Sequence, residues 1–423
     1  MPINPDEGLF EYAQFSGLRN TVPVDQIGLD DLDVASNIDI NDAKRATLRK
    51  GHADAMFAGN FTSMWANASQ MLAVSGTTLV RLLPDYVVLR PGLTPGLDMS
   101  YTSIAGRVFY SNSVDKGIIQ DGRSRTWGLD VPSAHPIASD IGGVLPAGRY
   151  QFAVTYLRSD GQESGSLVAG SIDLASAGGV RLDAIPVSTD SNVGAKVLYF
   201  TKCNGDTLYR VGIIAPSTTW FNYMVQSSGT VRLITQHLRP APAGQIVENF
   251  NGGRTLVAQG NVLFYSEPYS LELFDPRMKY TFESRITLVS ALDNGCFLGT
   301  ENEVVWLDGS VPGKWNFAPK LSYGAIIGAS TQCSRDMILD GQGTKPVAVF
   351  GTHHGLCVGF DGGEIINLTQ DRWLWPIQPK GCAIVRRHRG FVQALVSFQG
   401  SENSVIETVG NASFTLPMKQ LNS

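Results

Sequence analysis

Short apolar runs separated by turn-forming residues recur along most of the chain. Asp-Gly and Asn-Gly pairs divide many of these runs: Asp121-Gly122, Asp160-Gly161, Asn204-Gly205, Asn251-Gly252, Asn294-Gly295, Asp308-Gly309, Asp340-Gly341 and Asp361-Gly362. Because these residues accept the positive φ angles of two-residue hairpin turns, each pair predicts a β-hairpin. Helical periodicity is strongest over Leu29–Ala46, where we expect one short helix. The pattern therefore predicts an all-β protein.

Six segments repeat a pattern of apolar strand, tight turn and apolar strand. The closest internal match pairs Ile104–Asn112 with Ala258–Pro268. The strands read as near-continuous apolar runs, which is typical of sheets buried on both faces. We expect a β-propeller of about six blades, whose closure would protect the strand edges. A β-sandwich or a series of sandwiches is the alternative. The segments begin at Phe61, Met99, Arg254, Ile286, Pro346 and Cys382.

The repeat is interrupted between Trp127 and Pro240. This interval holds aromatic-rich hairpins that turn at Asp160-Gly161 and Asn204-Gly205, and prolines lie at both borders. Its length of about 100 residues is usual for an immunoglobulin-like or fibronectin type III-like sandwich. We expect three parts: an N-terminal segment with the first blades (1–126), an inserted sandwich (127–240) and the remaining blades (241–423).

The composition and net charge of the chain limit the kinds of partner that we expect for it. The chain has 423 residues, of which 43% are hydrophobic and 17% charged, as expected for a well-packed protein. A net charge of −5 gives no general basic surface for nucleic acid, although DNA passing through a channel needs none. Neither a signal peptide nor a membrane-spanning apolar run is recognisable, so we expect no membrane partner.

The five cysteines contain no C-x-x-C pair. This usage favours free, mostly buried thiols made in a reducing cytosol.

The stretch Gly351–Thr369 holds the most suggestive chemistry: His353, His354 and Cys357. A zinc site needs three or four converging ligands, and adjacent strand residues point to opposite faces, so this strand-turn supplies two at most. We expect a blade hairpin instead of a metal site. In this hairpin the apolar residues Leu356, Val358 and Phe360 would lie on one face of the strand.

Other motifs carry little chemistry. We interpret the basic run Val385–Gly390 as a solvated hairpin turn, and the aromatic run Asp371–Pro376 as core packing. The acidic residues Asp30, Asp31 and Asp33 fit a solvated or N-terminal helix face. Phosphate loops, EF-hand loops and nucleophile elbows are missing from the sequence. We therefore assign no catalytic, cofactor-binding or metal residues, expect no cofactor and expect no enzymatic activity.

The segment Phe15–His52 resembles the opening of many tailed-phage virion proteins. There, an F-x-G-x-x-N start leads into an "NVDI…RxGH" segment before the first blade, and Ile38 replaces the valine here. The phrases Ala147–Gly165 and Val262–Pro276 are similar to an inserted sandwich and a blade of the same proteins. The chain thus resembles the tail hub or nozzle family, also called tail tubular B or head-completion stabilisation proteins. The residues that match the opening pattern are Phe15, Gly17, Asn20, Asn37, Asp39, Ile40, Arg49, Gly51 and His52.

The resemblance implies a virion structural protein, assembled in the host cytoplasm as a six-membered ring. The ring would lie below the portal and adaptor proteins, extend the channel for genomic DNA, retain the genome and anchor tail fibres or spikes. A mildly acidic channel wall would repel the passing DNA backbone.

Two further hypotheses belong to other classes. A carbohydrate-binding or carbohydrate-active propeller for host receptor recognition would gather carboxylates and aromatics at its central mouth. A metal-dependent enzyme would be built around His353, His354 and Cys357.

Overall fold

The computed structural model describes residues 14–33, 38–40, 44–48, 59–338, 343–369, 372–373, 378–388, 391–399 and 412–417. These residues form strands and two short 3-10 helices, Val24–Gln26 and Arg335–Met337, with no α-helix among them. The all-β prediction is therefore confirmed. No helix in the described ranges is long and apolar enough to cross a membrane.

The predicted helix at Leu29–Ala46 is wrong. Its described residues form strands, because the "IDI" alternation around β-branched isoleucine suits a strand better than a helix. Asp31, expected on a helix face, instead accepts hydrogen bonds from Arg19 at 3.4 Å and Arg372 at 3.1 Å. Four short strands pair here, β1 with β2 and β3 with β4: β1 (Gly17–Leu18), β2 (Asp31–Leu32), β3 (Ile38–Ile40) and β4 (Ala46–Leu48).

Two four-stranded antiparallel sheets follow, each an up-and-down meander. Sheet 1 holds β5 (Phe61–Ala66), β6 (Met71–Ser75), β7 (Thr78–Leu83) and β8 (Val87–Arg90). Sheet 2 holds β9 (Ser100–Ile104), β10 (Arg107–Ser111), β11 (Lys116–Gln120) and β12 (Arg123–Arg125).

The next seven strands form two packed sheets, which we call the two-sheet unit. One sheet has the order β13-β16-β19 and the other β15-β14-β17-β18. Leu182 and Tyr223 of the first pack against Leu198 and Phe200 of the second. The strands are β13 (Ile137–Leu145), β14 (Gly148–Arg158), β15 (Gly170–Leu174), β16 (Gly178–Asp183), β17 (Val193–Phe200), β18 (Tyr209–Ile214) and β19 (Phe221–Tyr223).

Four more antiparallel sheets complete the described chain, and a short pair, β20 (Arg239–Pro240) with β24, accompanies sheet 3. Sheet 3 holds β21 (Ile246–Phe250), β22 (Arg254–Gln259), β23 (Val262–Tyr265) and β25 (Lys279–Thr281), with β24 (Leu273–Phe274) in its last connection. Sheet 4 holds β26 (Ile286–Leu292), β27 (Gly295–Thr300), β28 (Val304–Asp308) and β29 (Asn316–Leu321). Sheet 5 holds β30 (Ala325–Ser334), β31 (Pro346–Thr352), β32 (Gly355–Gly359) and β33 (Ile365–Asn367). Sheet 6 holds β34 (Lys380–His388), β35 (Phe391–Gln399) and β36 (Ala412–Pro417).

Consecutive sheets pack face to face, so that each inner sheet is buried on both faces. In β27, Cys296 and Leu298 pack towards sheet 3, whereas Phe297 packs towards sheet 5. This alternation explains the near-continuous apolar runs, and the resulting series of packed sheets is a propeller-like β fold. Representative core residues between successive sheets are Leu72 and Tyr110 (1–2), Phe109 and Val257 (2–3), Leu256 and Leu298 (3–4), Trp306 and Phe350 (4–5), and Val349 and Phe398 (5–6).

The Asx-Gly pairs of these sheets all lie at the same end of the fold. In an antiparallel meander the connections from strand 1 to 2 and from 3 to 4 share one end, and that from 2 to 3 lies at the other. Asn251-Gly252 and Asn294-Gly295 occupy 1–2 connections, and Asp121-Gly122, Asp308-Gly309 and Asp361-Gly362 follow third strands. We call this the Asx-Gly end; Asp340-Gly341 lies outside the described residues.

Side-chain hydrogen bonds join the turns at this end. The Asn251 amide donates to the Asp293 carbonyl at 3.1 Å, which links sheets 3 and 4. The Asn294 amide donates to the Asp361 carboxylate at 2.6 Å, which links sheets 4 and 5.

The internal match between Ile104–Asn112 and Ala258–Pro268 does not mark equivalent positions. The first spans the 1–2 hairpin of sheet 2, and the second spans the 2–3 hairpin of sheet 3. The two stretches therefore share hairpin chemistry and not a place in the repeat.

Candidate functional site

The histidine stretch forms the predicted hairpin. β31 and β32 pair antiparallel around His353 and His354, and Leu356, Val358 and Phe360 lie together in the core between sheets 5 and 6. Cys357 points the other way, into the core between sheets 4 and 5. The histidines lie at a 2–3 connection, at the end opposite the Asx-Gly turns.

The surroundings of the two histidines are those of a packed turn. The His354 ring lies 4.4 Å from the Tyr323 ring, centroid to centroid. Burial, together with the neighbouring His354, lowers the pKa of His353. Within the described ranges, no three His, Cys, Asp or Glu side chains are grouped to hold a metal ion.

The described residues of the basic run and the aromatic run also form a hairpin and core packing, and not a ligand site. β34 and β35 form a hairpin around the basic run, and Arg387 lies 3.7 Å from Asp336. Of the aromatic run, Trp373 packs against the core between sheets 5 and 6; its remaining residues, other than Arg372, lie outside the described ones.

All five cysteines are free, as predicted, but their burial was overestimated. Cys296 and Cys357 are buried, Cys203 and Cys333 are half-buried, and Cys382 is exposed.

A buried ionic cluster that sequence reasoning missed joins the two-sheet unit to sheets 2 and 3. At its centre lies Glu272, which is only 1% exposed. Its two carboxylate oxygens accept hydrogen bonds from Arg158 Nη2, at 2.9 and 2.8 Å. Arg107 and Arg125 reach the same carboxylate at 3.1 and 3.3 Å. Because these residues come from three parts of the chain, we call the cluster the ionic joint.

A second carboxylate completes the ionic joint. Asp160, in the tight turn after β14, accepts a hydrogen bond from Arg158 Nε at 3.0 Å and another from Arg125. Burial opposes ionisation of Asp160, but the hydrogen bonds from Arg158, the Gln162 amide and Arg125 outweigh it and lower its pKa. The joint is therefore a paired, hydrogen-bonded charge cluster, which fixes geometry more than it adds stability.

A different carboxyl, half-buried, lies where the first strands of sheets 3, 4 and 5 meet. The Gln332 amide of β30 donates to Glu248 of β21 at 3.2 Å, to Ser290 Oγ at 3.1 Å and to the Ala291 carbonyl at 3.0 Å. We call this contact the axial link.

Among the residues that the structure describes, no Lys or Arg forms an ion pair with Glu248. Burial raises the pKa of Glu248 to about 8, and the hydrogen bonds from the Ala291 amide and Gln332 offset this only in part. At neutral pH the group is thus largely a neutral acid.

Both sites had a weak signal in the sequence. Glu272 interrupts the apolar run "LELF", and Glu248 interrupts "IVENF". A charged residue inside an apolar run requires a partner. Arg158 is 114 residues from Glu272, and Gln332 is 84 residues from Glu248, so no local spacing reveals these partners.

Comparisons with known proteins leave the family open. No family model matches the chain, and no curated protein matches it. Among solved structures, BBS1N in its complex with ARL6DN matches with a TM-score of 0.35 and 9% identity over 85% of this chain and 93% of that one. The N-terminal domain of Nup159 matches with 0.28 and 7% over 80% and 72%, and apo AztD from Citrobacter koseri with 0.26 and 10% over 74% and 88%. Because these TM-scores are below 0.5, the propeller-like fold is assigned from the strand pairing of this chain alone.

Proposed function

We propose that this chain is a structural protein of a tailed-phage virion that forms a six-membered tail ring. In this proposal sheets 1 to 6 are the blades of a propeller, and residues 127–240 are an inserted immunoglobulin-like or fibronectin type III-like domain. The sheet orders β13-β16-β19 and β15-β14-β17-β18 support that assignment. The sequence resemblance of Phe15–His52 to tail hub and nozzle proteins supports the virion assignment.

The observation that carries the proposal is the ionic joint. A ring subunit has to present two different surfaces in a fixed relation, because each copy contacts two neighbours through unlike patches. Arg158 and Glu272, both nearly inaccessible to solvent, hold the two-sheet unit rigidly against sheets 2 and 3. This fixed attachment suits a structural protein whose two-sheet unit contacts a neighbouring copy.

Exposed apolar side chains on the two-sheet unit provide a surface for that contact. Trp220 is 51% exposed, Ile137 65% and Val225 64%. Ile137 and Trp220 lie at the three-stranded sheet, where Arg181 also covers the Trp220 ring at 5.2 Å. An exposed aromatic beside an arginine is typical of residues that dominate protein interfaces. We assign this surface to the next copy in the ring.

The channel of the ring would extend the DNA path below the portal and adaptor, and other surfaces would anchor fibres or spikes. The excess of acidic residues disfavours tight binding to the passing DNA, because such binding needs many Lys and Arg contacts to phosphate.

The test is the mass and shape of the assembly. Light scattering of the purified chain, alone and with its adaptor protein, should give about six times the 45.6 kDa of one copy, with rings in negative-stain images. Trp220→Asp should abolish the ring and leave a folded monomer. Tyr86→Asp, a matched change at another half-exposed aromatic on sheet 1, should leave the ring intact. A monomer under both conditions would refute the proposal.

A further inference from the structure

Tyr269 is an exposed aromatic in an unusual backbone conformation. It is 89% exposed, and within residues 235–310, all described, it is the one exposed large apolar side chain. Its φ angle is +57°, a left-handed value that is a genuine outlier for a bulky residue. The other non-glycine residues with positive φ are Lys, Ser, Ala, Asp or Asn.

The surrounding structure holds Tyr269 in this conformation. The Tyr269 amide donates to the Gly253 carbonyl at 2.8 Å, and Ser270 pairs with Glu267 across the tip of the loop. One face of the ring lies over Gly253, where a Cβ atom would be 3.3 Å from Cε1. Glycine at this position therefore lets the ring approach, and the high exposure leaves the opposite face of the ring open.

Both ends of the loop are anchored in the fold. Ser266 is fully buried, and its carbonyl accepts a hydrogen bond from Arg254 at 2.6 Å. On the other side Leu271 is buried and is followed directly by Glu272, the centre of the ionic joint. The loop is thus rigid, and an aromatic group displayed on a rigid loop loses little entropy on binding.

We propose that Tyr269 is a stacking platform for a pyranose ring, so that the loop binds a saccharide. A pyranose has an apolar C–H face that matches an open aromatic face, and hydroxyl groups at its edge that need polar partners. Asn251 and Glu267 lie two residues along the chain from Gly253 and Tyr269 and are polar residues close to this turn in sequence; the Asn251 amide also donates to the Asp293 carbonyl and has a second hydrogen to offer. A protein partner is disfavoured, because a stable protein interface needs roughly 800 Å² from each side, with a larger apolar centre than one isolated ring.

This site lies in a different part of sheet 3 from the axial link. The loop belongs to the 3–4 connection of sheet 3, at the Asx-Gly end, whereas the axial link lies on first strands. A central mouth lined with carboxylates, expected for a carbohydrate-active propeller, is therefore not required. The inference goes beyond the ring proposal, since a saccharide contact is compatible with a monomer as well as a ring.

The test uses saturation-transfer NMR on the full chain with three probes: cellohexaose, chitohexaose and maltohexaose. Wild type and Tyr269→Phe should transfer saturation to the C–H protons of at least one oligosaccharide. Tyr269→Gly should reduce this signal at least tenfold. Its melting temperature should be unchanged or higher, because glycine accepts a positive φ without strain.

Tyr86→Gly, at a tyrosine that is 51% exposed with an ordinary φ, is the matched control and should bind as wild type does. Three outcomes would overturn the proposal: no transfer from wild type to any of the three probes, full transfer in Tyr269→Gly, or equal losses in Tyr269→Gly and Tyr86→Gly. Loss of ring formation in Tyr269→Gly without any saccharide binding would assign the loop to a protein contact instead. The ring itself is measured separately by light scattering, so the two proposals fail independently.

Discussion

Two glutamates in this protein have opposite surroundings. Glu272 in the ionic joint is buried and receives hydrogen bonds from three arginines. Glu248 in the axial link is half-buried, and its donors among the described residues are neutral amides. The first is the main counter-charge of buried Arg158, whose other carboxylate partner is Asp160. The second has a raised pKa because burial is not compensated by a nearby cation. Burial alone therefore does not define what a carboxyl does; its partners decide.

The largest effect is expected from Glu272→Gln. The substitution leaves buried Arg158 with Asp160 as its remaining carboxylate partner, so the free energy of unfolding should fall by about 3 kcal/mol, the low end of the range for breaking a buried ion pair. Chemical denaturation followed by tryptophan fluorescence would measure it. Asp98→Asn is the control, because its ion pair with Lys380 is exposed and should contribute less than about 1 kcal/mol. Equal effects of the two changes would contradict the role assigned to the joint.

A smaller, pH-dependent effect is expected from Glu248→Gln. Since the pKa of Glu248 is raised from 4.5 to about 8 on folding, its favourable contribution is present at low pH and lost as pH rises towards 8. The full pKa difference corresponds to about 4 kcal/mol between pH 5 and pH 9. Because solvent reaches the half-buried side chain, we expect the stability of wild type relative to Glu248→Gln to fall by about 2 kcal/mol over this range. Denaturation curves of both proteins at the two pH values would show it. A difference that grows with pH would mean that Glu248 is ionised and paired.

A third substitution tests the contribution of the Gln332 amide apart from that of the Glu248 carboxyl. Gln332→Leu removes the donor of the axial link, so the free energy of unfolding should fall by about 1 kcal/mol and the pKa of Glu248 should rise further. Carbon-13 NMR of labelled glutamate carboxyls would follow the titration. Gln259→Leu, at an exposed glutamine bonded to the Ala243 carbonyl, should leave that pKa unchanged. A lowered Glu248 pKa in Gln332→Leu would refute this description of the link.

The smallest effect is expected at the rim of the ionic joint. Asp160 is 39% exposed, so Asp160→Asn should cost no more than about 1 kcal/mol at pH 7 despite two arginine partners. Because the pKa of Asp160 is lowered by folding, the wild-type advantage should be present at pH 7 and should decrease as pH falls from the usual range for aspartate towards the lowered folded-state pKa. Thermal unfolding at pH 7 and pH 3 would measure both. A loss as large as that of Glu272→Gln would place the centre of the joint at Asp160.

Local sequence patterns predicted the hairpins well, but they predicted poorly which strands occupy equivalent places in successive sheets. The hairpins at Asp121-Gly122 and Asn251-Gly252 were correct, because left-handed φ angles at both residues of each pair are a local property. The helix at Leu29–Ala46 was wrong, because weak periodicity competed with strand pairing. The match of Ile104–Asn112 with Ala258–Pro268 identified two real hairpins but misaligned the repeat.

The candidate sites show the same difference between features set by nearby residues and features set by residues far apart in the chain. The prediction that Gly351–Thr369 is a hairpin followed from alternation and turn chemistry, and the structure confirms it. The ionic joint was missed, because Arg158 and Glu272 are 114 residues apart and only the docking of the two-sheet unit brings them together. The raised pKa of Glu248 likewise comes from burial in the folded protein, and the Ala291 and Gln332 donors that offset it in part belong to other sheets.

The sequence by itself determined the all-β character, the hairpin turns and the two-sided burial of the strands, since each follows from interactions within a few residues. Only the tertiary structure decided which faces pack together, which end collects the Asx-Gly turns and which buried carboxyl meets arginine. Those features depend on contacts between residues far apart in the chain, and no local pattern of side chains encodes such distances. The stretch with two histidines and a cysteine therefore forms a turn, and the charged chemistry lies where sheets 2 and 3 meet the two-sheet unit.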